Sequence, residues 1–212
     1  MSPLLPPVID LGDLILRQFA DADLAELHQV IEQSLEHLAP WMAWTAGHSP
    51  AATADFLARR PGRWADGDCT YAITTEKAIV GTCSLFRGQD SHGAGREIGY
   101  WLHPAATGRG TATRAARALT EEAFRLPGVD YVEIVHDPAN RASGAVAARL
   151  GFTPYERRPA ERRAPAESGE EQVWRLTRSR TITSAPGTSL ASGSGGPSGP
   201  GPGGRRGPER PR

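Results

Sequence analysis

The chain has 212 residues, a formal net charge of zero and two cysteines, which excludes a disulfide framework or a cysteine-based metal set. Residues 179–212 hold five arginines and one glutamate, so the remaining chain is mildly acidic, which argues against nucleic acid as the main partner. No apolar run approaches the roughly 20 residues that cross a bilayer, and no signal-peptide pattern opens the sequence, so we expect a cytoplasmic protein without a membrane partner.

The first part of the chain predicts a strand and two helices. Apolar and polar residues alternate over Leu14–Phe19, which is typical of a half-buried strand. Leucine and isoleucine then recur at helical spacing after Asp23, a candidate helix cap, until Pro40 ends the pattern. Ser49 followed by Pro50 predicts the cap and first residue of a second helix.

The rest of the chain adds strands, two further helices and a tail. The strands are predicted at Thr70–Thr75, Ala78–Phe86, Arg96–Leu102, Tyr131–His136, Phe152–Tyr155 and Gln172–Thr177. One helix follows a glycine-rich segment, and another runs from Asn140 to Leu150. This order predicts a mixed α/β (α+β) domain over residues 1–178. Residues 179–212 carry almost no large apolar side chain and are predicted to be a disordered tail.

The segment from His103 to Phe124 begins with small residues and glycines and ends as an amphipathic helix. A helix start exposes backbone N–H groups that the helix cannot satisfy, so a glycine-rich start is a suitable seat for a phosphate. The segment lacks the lysine of a Walker A loop and the spacing of a dinucleotide fingerprint. A simple glycine turn without a ligand stays open as the alternative. The candidate residues are Thr107, Gly108, Arg109, Gly110, Thr111 and Ala112.

A second candidate segment, DPANRASG, directly follows the predicted strand at Tyr131–His136. The Asn140 side chain can pair with peptide-like amides of a ligand. Ser143 lies one helical turn further on and faces the same way. The alternative is an asparagine that only caps the helix, beside an incidental serine.

The sequence resembles, in the order and spacing of its motifs, the GNAT superfamily of acyl-CoA-dependent N-acetyltransferases, and within it the RimJ/RimL-type branch. The motifs are LILRQF, GTCSLF, EIGYWLHP, GRGTATRAARAL and DPANRASGAVAARLGF. The resemblance implies the GNAT fold, a central, mixed, largely antiparallel twisted sheet flanked by helices, with splayed central strands. It also implies acetyl-CoA as co-substrate and an amine as acceptor.

The resemblance implies a path for acetyl-CoA. The pyrophosphate would lie on the glycine-rich segment, where Thr107 stands in place of the family's glutamine or arginine and Arg109 adds positive charge. The acetyl-pantetheine arm would pair with the EIGYWL strand and accept a hydrogen bond from Asn140. A backbone N–H near Trp101 or Leu102 would meet the oxyanion of the tetrahedral intermediate.

The resemblance also implies catalytic roles. Glu97 is the expected general base or binder of the substrate ammonium group, with a salt bridge, for example to Arg114, as the structural alternative. Ser143 is expected to protonate or stabilise the leaving thiolate. Tyr155 is the substitute for that role, although a structural role is favoured for it.

Trp41 and Trp44 follow the first predicted helix, in the connection that shapes the acceptor side of this fold. They are expected to line the substrate mouth, with core packing as the alternative. Cys83 is expected to be a core residue, because no histidine partner is set by spacing. No metal is expected, because four histidines lack ligand spacing: His48, His92, His103 and His136.

The leading function is acetylation of a primary amine, either a protein N-terminal α-amine or a small molecule, by direct attack in a ternary complex. Acetylation of an antibiotic or an amino-acid-like metabolite is one alternative. A non-catalytic acyl-CoA-binding module is another, favoured by Thr107 but opposed by the presence of Glu97, Asn140 and Ser143. The chain is expected to be a monomer or a homodimer.

Overall fold

A computed structural model describes residues 5–76, 78–87 and 94–178. The predicted disordered tail, residues 179–212, lies outside the described residues. Among the helices in the described ranges, none is long and apolar enough to cross a membrane.

The described chain folds into one sheet with helices on both faces. The strands are β1 (Val8–Asp10), β2 (Ile15–Gln18), β3 (Cys69–Thr74), β4 (Ile79–Phe86), β5 (Gly95–Leu102), β6 (Tyr131–His136), β7 (Thr153–Pro159) and β8 (Glu170–Thr177). The helices are α1 (Leu24–Glu32), α2 (Leu35–Leu38), α3 (Pro50–Ala65), α4 (Thr111–Arg125) and α5 (Arg141–Arg149).

The sheet is mixed and largely antiparallel. Its strand order is β1-β2-β3-β4-β5-β6-β8-β7, and every neighbouring pair is antiparallel except β5 and β6. The parallel step arises because α4 carries the chain from the end of β5 back to the start of β6. The predicted mixed, largely antiparallel sheet flanked by helices is confirmed.

The two central strands part soon after they begin. The register between β5 and β6 covers three pairs and ends where Glu97 lies opposite Glu133. Beyond that point β5 continues beside β4 to Leu102, and β6 continues beside β8 to His136. The predicted splaying of the central strands is therefore confirmed, and it leaves a gap between two strands that are each held on their outer edge.

Alternation along the strands builds a separate core on each face of the sheet. On one face, Ile98 and Val132 pack with Leu119 of α4 in the larger core. On the other face, Trp101 borders a smaller core that includes Leu27 of α1 and further side chains of α3. Because successive side chains of a strand point to opposite faces, Ile98 and Trp101 belong to different cores.

Two elements differ from the sequence prediction. The strand β1 was not predicted, because its three residues are too few to show an alternating pattern. The single predicted helix before Pro40 is wrong, since it breaks between α1 and α2 at the fully buried Ser34. The Ser34 hydroxyl donates to the Val30 carbonyl at 2.6 Å, while the Ser34 N–H donates to the Ile31 carbonyl at 2.9 Å, so the last turn tightens.

A β-bulge and a glycine bring β4 close to the end of β5. The register between β3 and β4 shifts at Ile73 and Thr74, so Val80 is an extra residue on β4. A Cβ added at Gly81 would collide with the carbonyl oxygen of Trp101. This close approach lies at the end of β5 that has left β6.

We predict that Gly81→Ala lowers the free energy of unfolding by at least about 2 kcal/mol, because the rigid Trp101 backbone cannot yield to the added methyl group. Gly62→Ala is the matched control, since Gly62 lies within α3 with open space around it. That control should raise the unfolding free energy by about 0.5–1 kcal/mol. Urea unfolding of both variants is the measurement, and equal effects would contradict the packing described for β4 and β5.

Candidate functional site

A groove of about 1120 Å³ opens where β5 and β6 part. Its walls come from the starts of α4 and α5, the segment after α2 and the connection between β7 and β8. Of the residues predicted from sequence, the groove is lined by Trp41, Glu97, Trp101, Leu102, Thr107, Gly108, Gly110, Thr111, Ala112, Asn140 and Ser143.

Of the predicted cofactor- and substrate-binding residues, two do not line the groove. The Arg109 side chain is exposed and lies outside the lining. The Trp44 ring is also outside the lining, with 43% of its surface exposed, and it packs beside Trp101 with ring centroids 6.1 Å apart. The predicted contact of Trp44 with the groove is therefore replaced by an indirect one through Trp101.

The start of α4 presents backbone donors to the groove. Gly108 and Gly110 have φ values of 71° and 78°, a left-handed conformation that favours glycine. Gly110 is the helix cap and has no side chain to satisfy the first turn, and its carbonyl accepts from Arg114 N–H at 2.9 Å. The N–H groups of Thr111, Ala112 and Thr113 therefore find no acceptor within α4. With no acidic residue in this turn, the helix start attracts anions.

Thr107 and Arg114 hold the surroundings of this helix start in place. The Thr107 hydroxyl donates to the Pro104 carbonyl at 2.7 Å, so this side chain closes a turn before the helix. The Arg114 guanidinium donates to the Asp13 carboxylate at 2.5 and 3.1 Å and to the Leu11 carbonyl at 2.8 Å. Arg114, the suggested alternative partner of Glu97, is thus bound to the segment before β2.

The Asn140 side chain caps α5. Its Oδ1 accepts from the Ser143 N–H at 3.2 Å, which confirms the capping interpretation. The cap occupies the amide oxygen and leaves the amide N–H groups as the donors that Asn140 can offer to the groove. Capping and ligand binding are therefore compatible at this residue.

The structure places an unexpected tyrosine beside Ser143. The Tyr100 hydroxyl lies 3.0 Å from Ser143 Oγ and 3.2 Å from the Ser143 carbonyl oxygen, to which it donates. Burial raises the pKa of Tyr100 to about 12, although the Ser143 hydrogen bond opposes the shift, so the phenol is protonated at neutral pH. The sequence signal for this residue is the tyrosine within EIGYWL, a segment whose backbone alone carries the predicted role.

Tyr155, the substitute predicted from sequence, lies elsewhere. Its ring is 57% exposed and stacks on the Arg175 guanidinium, 3.4 Å from the ring centre. It lines a small surface pocket and does not line the groove. Tyr100 therefore replaces Tyr155 as the tyrosine near Ser143.

The free edge of β5 offers a second set of backbone donors. The His103 N–H donates to the Val80 carbonyl at 2.8 Å, which fixes the direction of alternate peptide groups along the strand. By alternation, the Trp101 N–H points toward β4, whereas those of Tyr100 and Leu102 point toward the gap. Of the two residues expected to supply an N–H to the oxyanion, Trp101 and Leu102, only Leu102 directs its N–H toward the gap. The Tyr100 N–H points the same way.

Glu97 stands at the narrow end of the gap, on the face opposite Tyr100. Its neighbour across the sheet, Glu133, is buried and accepts from Arg175 at 2.6 and 2.9 Å. Arg175 is also held over the rings of Tyr131 and Tyr155. The carboxylate beside Glu97 is therefore already neutralised, and Glu97 itself lines the groove.

His136 and Cys83 are not suited to proton transfer or nucleophilic attack. His136 Nδ1 lies 2.7 Å from the Asp137 carbonyl, and its Nε2 accepts from Trp174 Nε1 at 2.9 Å. Burial lowers the pKa of His136, so the ring is neutral with both nitrogens engaged. Cys83 is fully buried in the larger core, and burial raises the pKa of its thiol, which agrees with the predicted core role.

Hydrogen bonds tie the far wall of the groove together. The Asp137 carboxylate accepts from the Ser168 N–H at 2.6 Å, from the Ser168 hydroxyl at 3.0 Å and from the Ala139 N–H at 2.8 Å. The Ala166 N–H donates to the Pro40 carbonyl at 2.9 Å. The connection between β7 and β8 is therefore joined both to the end of β6 and to the segment that carries Trp41.

A family model described as "Acetyltransferase (GNAT) domain" matches residues 13–153. The chain belongs to this family and is an acyltransferase. It is 28% identical over 142 residues to "Putative ribosomal N-acetyltransferase YdaF" of Bacillus subtilis (strain 168), a match that covers 66% of this chain and 77% of that protein.

Solved structures share the fold at low sequence identity. Microcin C7 self immunity acetyltransferase MccE, in complex with acetyl-CoA and AMP, matches with a TM-score of 0.73 and 24% identity, over 82% of this chain and 98% of that one. RimL, a ribosomal L7/L12 alpha-N-protein acetyltransferase in complex with coenzyme A, matches with a TM-score of 0.73 and 21% identity, over 80% and 97%. Mycobacterium smegmatis RimJ, in complex with CoA-disulfide, matches with a TM-score of 0.71 and 20% identity, over 84% and 88%. These likenesses confirm the GNAT fold.

We predict that Asp137→Asn destabilises the fold by about 1 kcal/mol at pH 7, a modest value because the carboxylate is partly screened by solvent. Burial alone would raise the pKa of the Asp137 carboxyl, but hydrogen bonds from Ala139 and Ser168 outweigh it and lower that pKa. The difference in unfolding free energy between wild type and Asp137→Asn should therefore persist above pH 4. It should vanish as the pH falls through the lowered pKa of the Asp137 carboxyl in the folded state.

Unfolding free energies from pH 2 to 7 measure this effect, because the lowered pKa lies below the ordinary value of 3.8. Asp55→Asn, on the exposed face of α3, is the control and should change little across the range. A constant difference between wild type and Asp137→Asn at every pH would contradict the assignment.

Proposed function

We propose that the chain transfers the acetyl group of acetyl-CoA to a primary amine by direct attack in a ternary complex. One observation carries the proposal: two sets of unsatisfied backbone donors, at the start of α4 and along the free edge of β5, face the same groove. The first set suits a pyrophosphate, and the second suits an extended, amide-containing arm that ends in a thioester.

Each part of the groove takes one part of acetyl-CoA. The pyrophosphate accepts hydrogen bonds from the N–H groups of Thr111, Ala112 and Thr113, where the helix dipole adds attraction. The pantetheine arm lies in the gap as an additional strand beside β5, where the peptide groups of Tyr100 and Leu102 face it. The amide N–H groups of Asn140 donate to the same arm.

The reaction needs three groups around the thioester carbon. Glu97 takes a proton from the ammonium group of the acceptor, directly or through a water, and the free amine then attacks the carbonyl carbon. The backbone N–H of Leu102, with that of Tyr100, stabilises the oxyanion that forms. The C–N bond forms, the C–S bond breaks, and the departing sulfur receives a proton or a hydrogen bond from Ser143.

Tyr100 supports Ser143 in this role. The two hydroxyl oxygens are 3.0 Å apart, and the raised pKa of Tyr100 keeps its proton in place at neutral pH. The phenol therefore fixes the position of the Ser143 side chain through this hydrogen bond. Glu97 lies on the opposite face of β5, so the base and the thiolate donor approach the thioester from different sides.

A protein N-terminal α-amine is the favoured acceptor. Both YdaF and RimL carry names that refer to ribosomal N-acetylation, which supports this class for a chain of the same family. MccE, whose name refers to microcin immunity, supports a small-molecule or antibiotic amine as the alternative. Trp41 and Trp101 line the groove, and Trp44 packs beside Trp101, which suits an apolar acceptor mouth.

A free-thiol release assay with acetyl-CoA tests the proposed activity. The acceptor panel contains N-terminal peptides, polyamines, aminoglycosides and amino acids. Thiol release with peptides supports the favoured acceptor, and release only with aminoglycosides or amino acids supports the alternative. Binding of acetyl-CoA by calorimetry without release on any acceptor supports a non-catalytic binding module and contradicts the proposed reaction.

We predict that Glu97→Gln lowers kcat by about 100-fold or more, because the amide cannot accept the ammonium proton. Ser143→Ala should lower kcat by at least about 10-fold with little change in KM for acetyl-CoA, since its role is confined to the departing sulfur. Tyr100→Phe should show a smaller loss in kcat. Steady-state kinetics with the accepted amine measure all three, and full kcat in Glu97→Gln would remove that residue from its proposed role.

We predict that Gly110→Ala weakens acetyl-CoA binding by at least about 10-fold, because the left-handed cap that orients the donors of α4 becomes strained. Gly128→Ala is the matched control, with φ of 75° and equally open surroundings but no place in the groove. Both variants should lose about 1–2 kcal/mol of stability. Calorimetry should show weak binding in the first variant alone, and equal loss in both would contradict the phosphate site.

A further inference from the structure

A cluster of two histidines and a glutamate lies outside the groove. His28 and Glu32 are one turn apart on α1, and His48 comes from the segment just before α3. The Glu32 Oε1 atom lies 3.4 Å from His48 Nε2 and 4.0 Å from His28 Nε2. The two imidazole rings stack with centroids 4.7 Å apart. The Nε2 atoms of both rings therefore lie near the same oxygen of Glu32.

His48 is buried without a hydrogen bond at the nitrogen that faces the cluster. Only 4% of its side chain is exposed, and Nε2 has no hydrogen-bond partner among the described residues. The carboxylate of Glu32 is near, but it does not meet the geometry of a hydrogen bond to this nitrogen. A buried ring nitrogen directed at a carboxylate in this way calls for a further ligand between them.

His28 is oriented with its lone pair toward the cluster. The Thr53 hydroxyl donates to the Ser49 carbonyl at 3.2 Å, so toward His28 Nδ1, 3.5 Å away, it acts as an acceptor. This places the ring proton of neutral His28 on Nδ1 and the lone pair on Nε2. A backing hydrogen bond of this kind is what fixes the tautomer of a metal-binding histidine.

We propose that His28, Glu32 and His48 bind a divalent transition-metal ion of the zinc class. Imidazole nitrogen and carboxylate oxygen are ligands that zinc accepts at about 2.0–2.2 Å, which places tetrahedral ligand atoms about 3.3 Å apart. The His48–Glu32 distance already fits, and all ligand atoms of the cluster lie within 4.8 Å of one another. Small movements of the exposed Glu32 side chain and of the half-buried His28 ring would bring the remaining atoms to tetrahedral distances. Water completes the coordination, and magnesium or calcium is disfavoured because they prefer oxygen ligands.

The ion would hold the segment that leads to the acceptor side. None of its three ligands lines the groove, so the proposed site is separate from acyl transfer. It joins α1 to the chain between α2 and α3, which carries Trp41 and Trp44. The sequence prediction of no metal stays untested, and the proposed site departs from it because the fold brings His48 to the His28–Glu32 pair.

Metal titration of the untagged, chelator-treated full chain tests the proposal. Zinc is added in competition with a chromophoric chelator, and cobalt is added separately to record its visible absorption. We expect one zinc ion per chain with Kd of about 10 μM or tighter, and a cobalt band typical of nitrogen and oxygen ligands. A Kd weaker than about 100 μM for wild type would overturn the proposal.

Variants assign the ligands. Glu32→Gln keeps the exposed side chain's shape, so the fold is retained, and it should weaken zinc binding by at least about 10-fold. His48→Ala should weaken it by a similar factor or more, with folding checked by circular dichroism. His103→Ala removes a histidine outside the cluster and should bind as wild type does. Unchanged affinity in Glu32→Gln, or equal loss in His103→Ala, would overturn the assignment.

Discussion

The early separation of β5 from β6 is the constraint on which the rest of the site depends. The strands pair over three residues, and each then continues along its outer neighbour, β4 or β8. The separation leaves peptide groups of β5 facing an open groove, where only water satisfies them in the free protein. A ligand with its own amides can take over these hydrogen bonds as an additional strand, and the proposed binding of acetyl-CoA rests on this feature.

Other elements are arranged around this gap. The starts of α4 and α5 both face it, which brings the donors of the glycine-rich turn and the Asn140 cap to one groove. The sheet separates the proposed catalytic groups, with Tyr100 and Ser143 on the face of α4 and Glu97 on the other. The Glu133–Arg175 ion pair neutralises the carboxylate that lies opposite Glu97 across the sheet.

Local signals in the sequence were sufficient for most of the fold and part of the site. Alternation of apolar and polar residues, together with turn residues, predicted the strands. Gly108 and Gly110 indicated the start of α4, where the backbone adopts positive φ values that favour glycine. Contacts between distant segments could not be predicted in this way. The break of the first helix depends on the burial of Ser34, and the Tyr100–Ser143 pair depends on how α5 packs against β5.

Backbone amide exchange along β5, followed by NMR with and without coenzyme A, tests the central claim most directly. In the free protein, the Trp101 amide should exchange slowly because it bonds to β4, while those of Tyr100 and Leu102 should exchange faster. Coenzyme A should slow the exchange of Tyr100 and Leu102 and leave Trp101 unchanged. Equal protection of all three amides without ligand, or no change on adding coenzyme A, would contradict the account of the gap as the binding site.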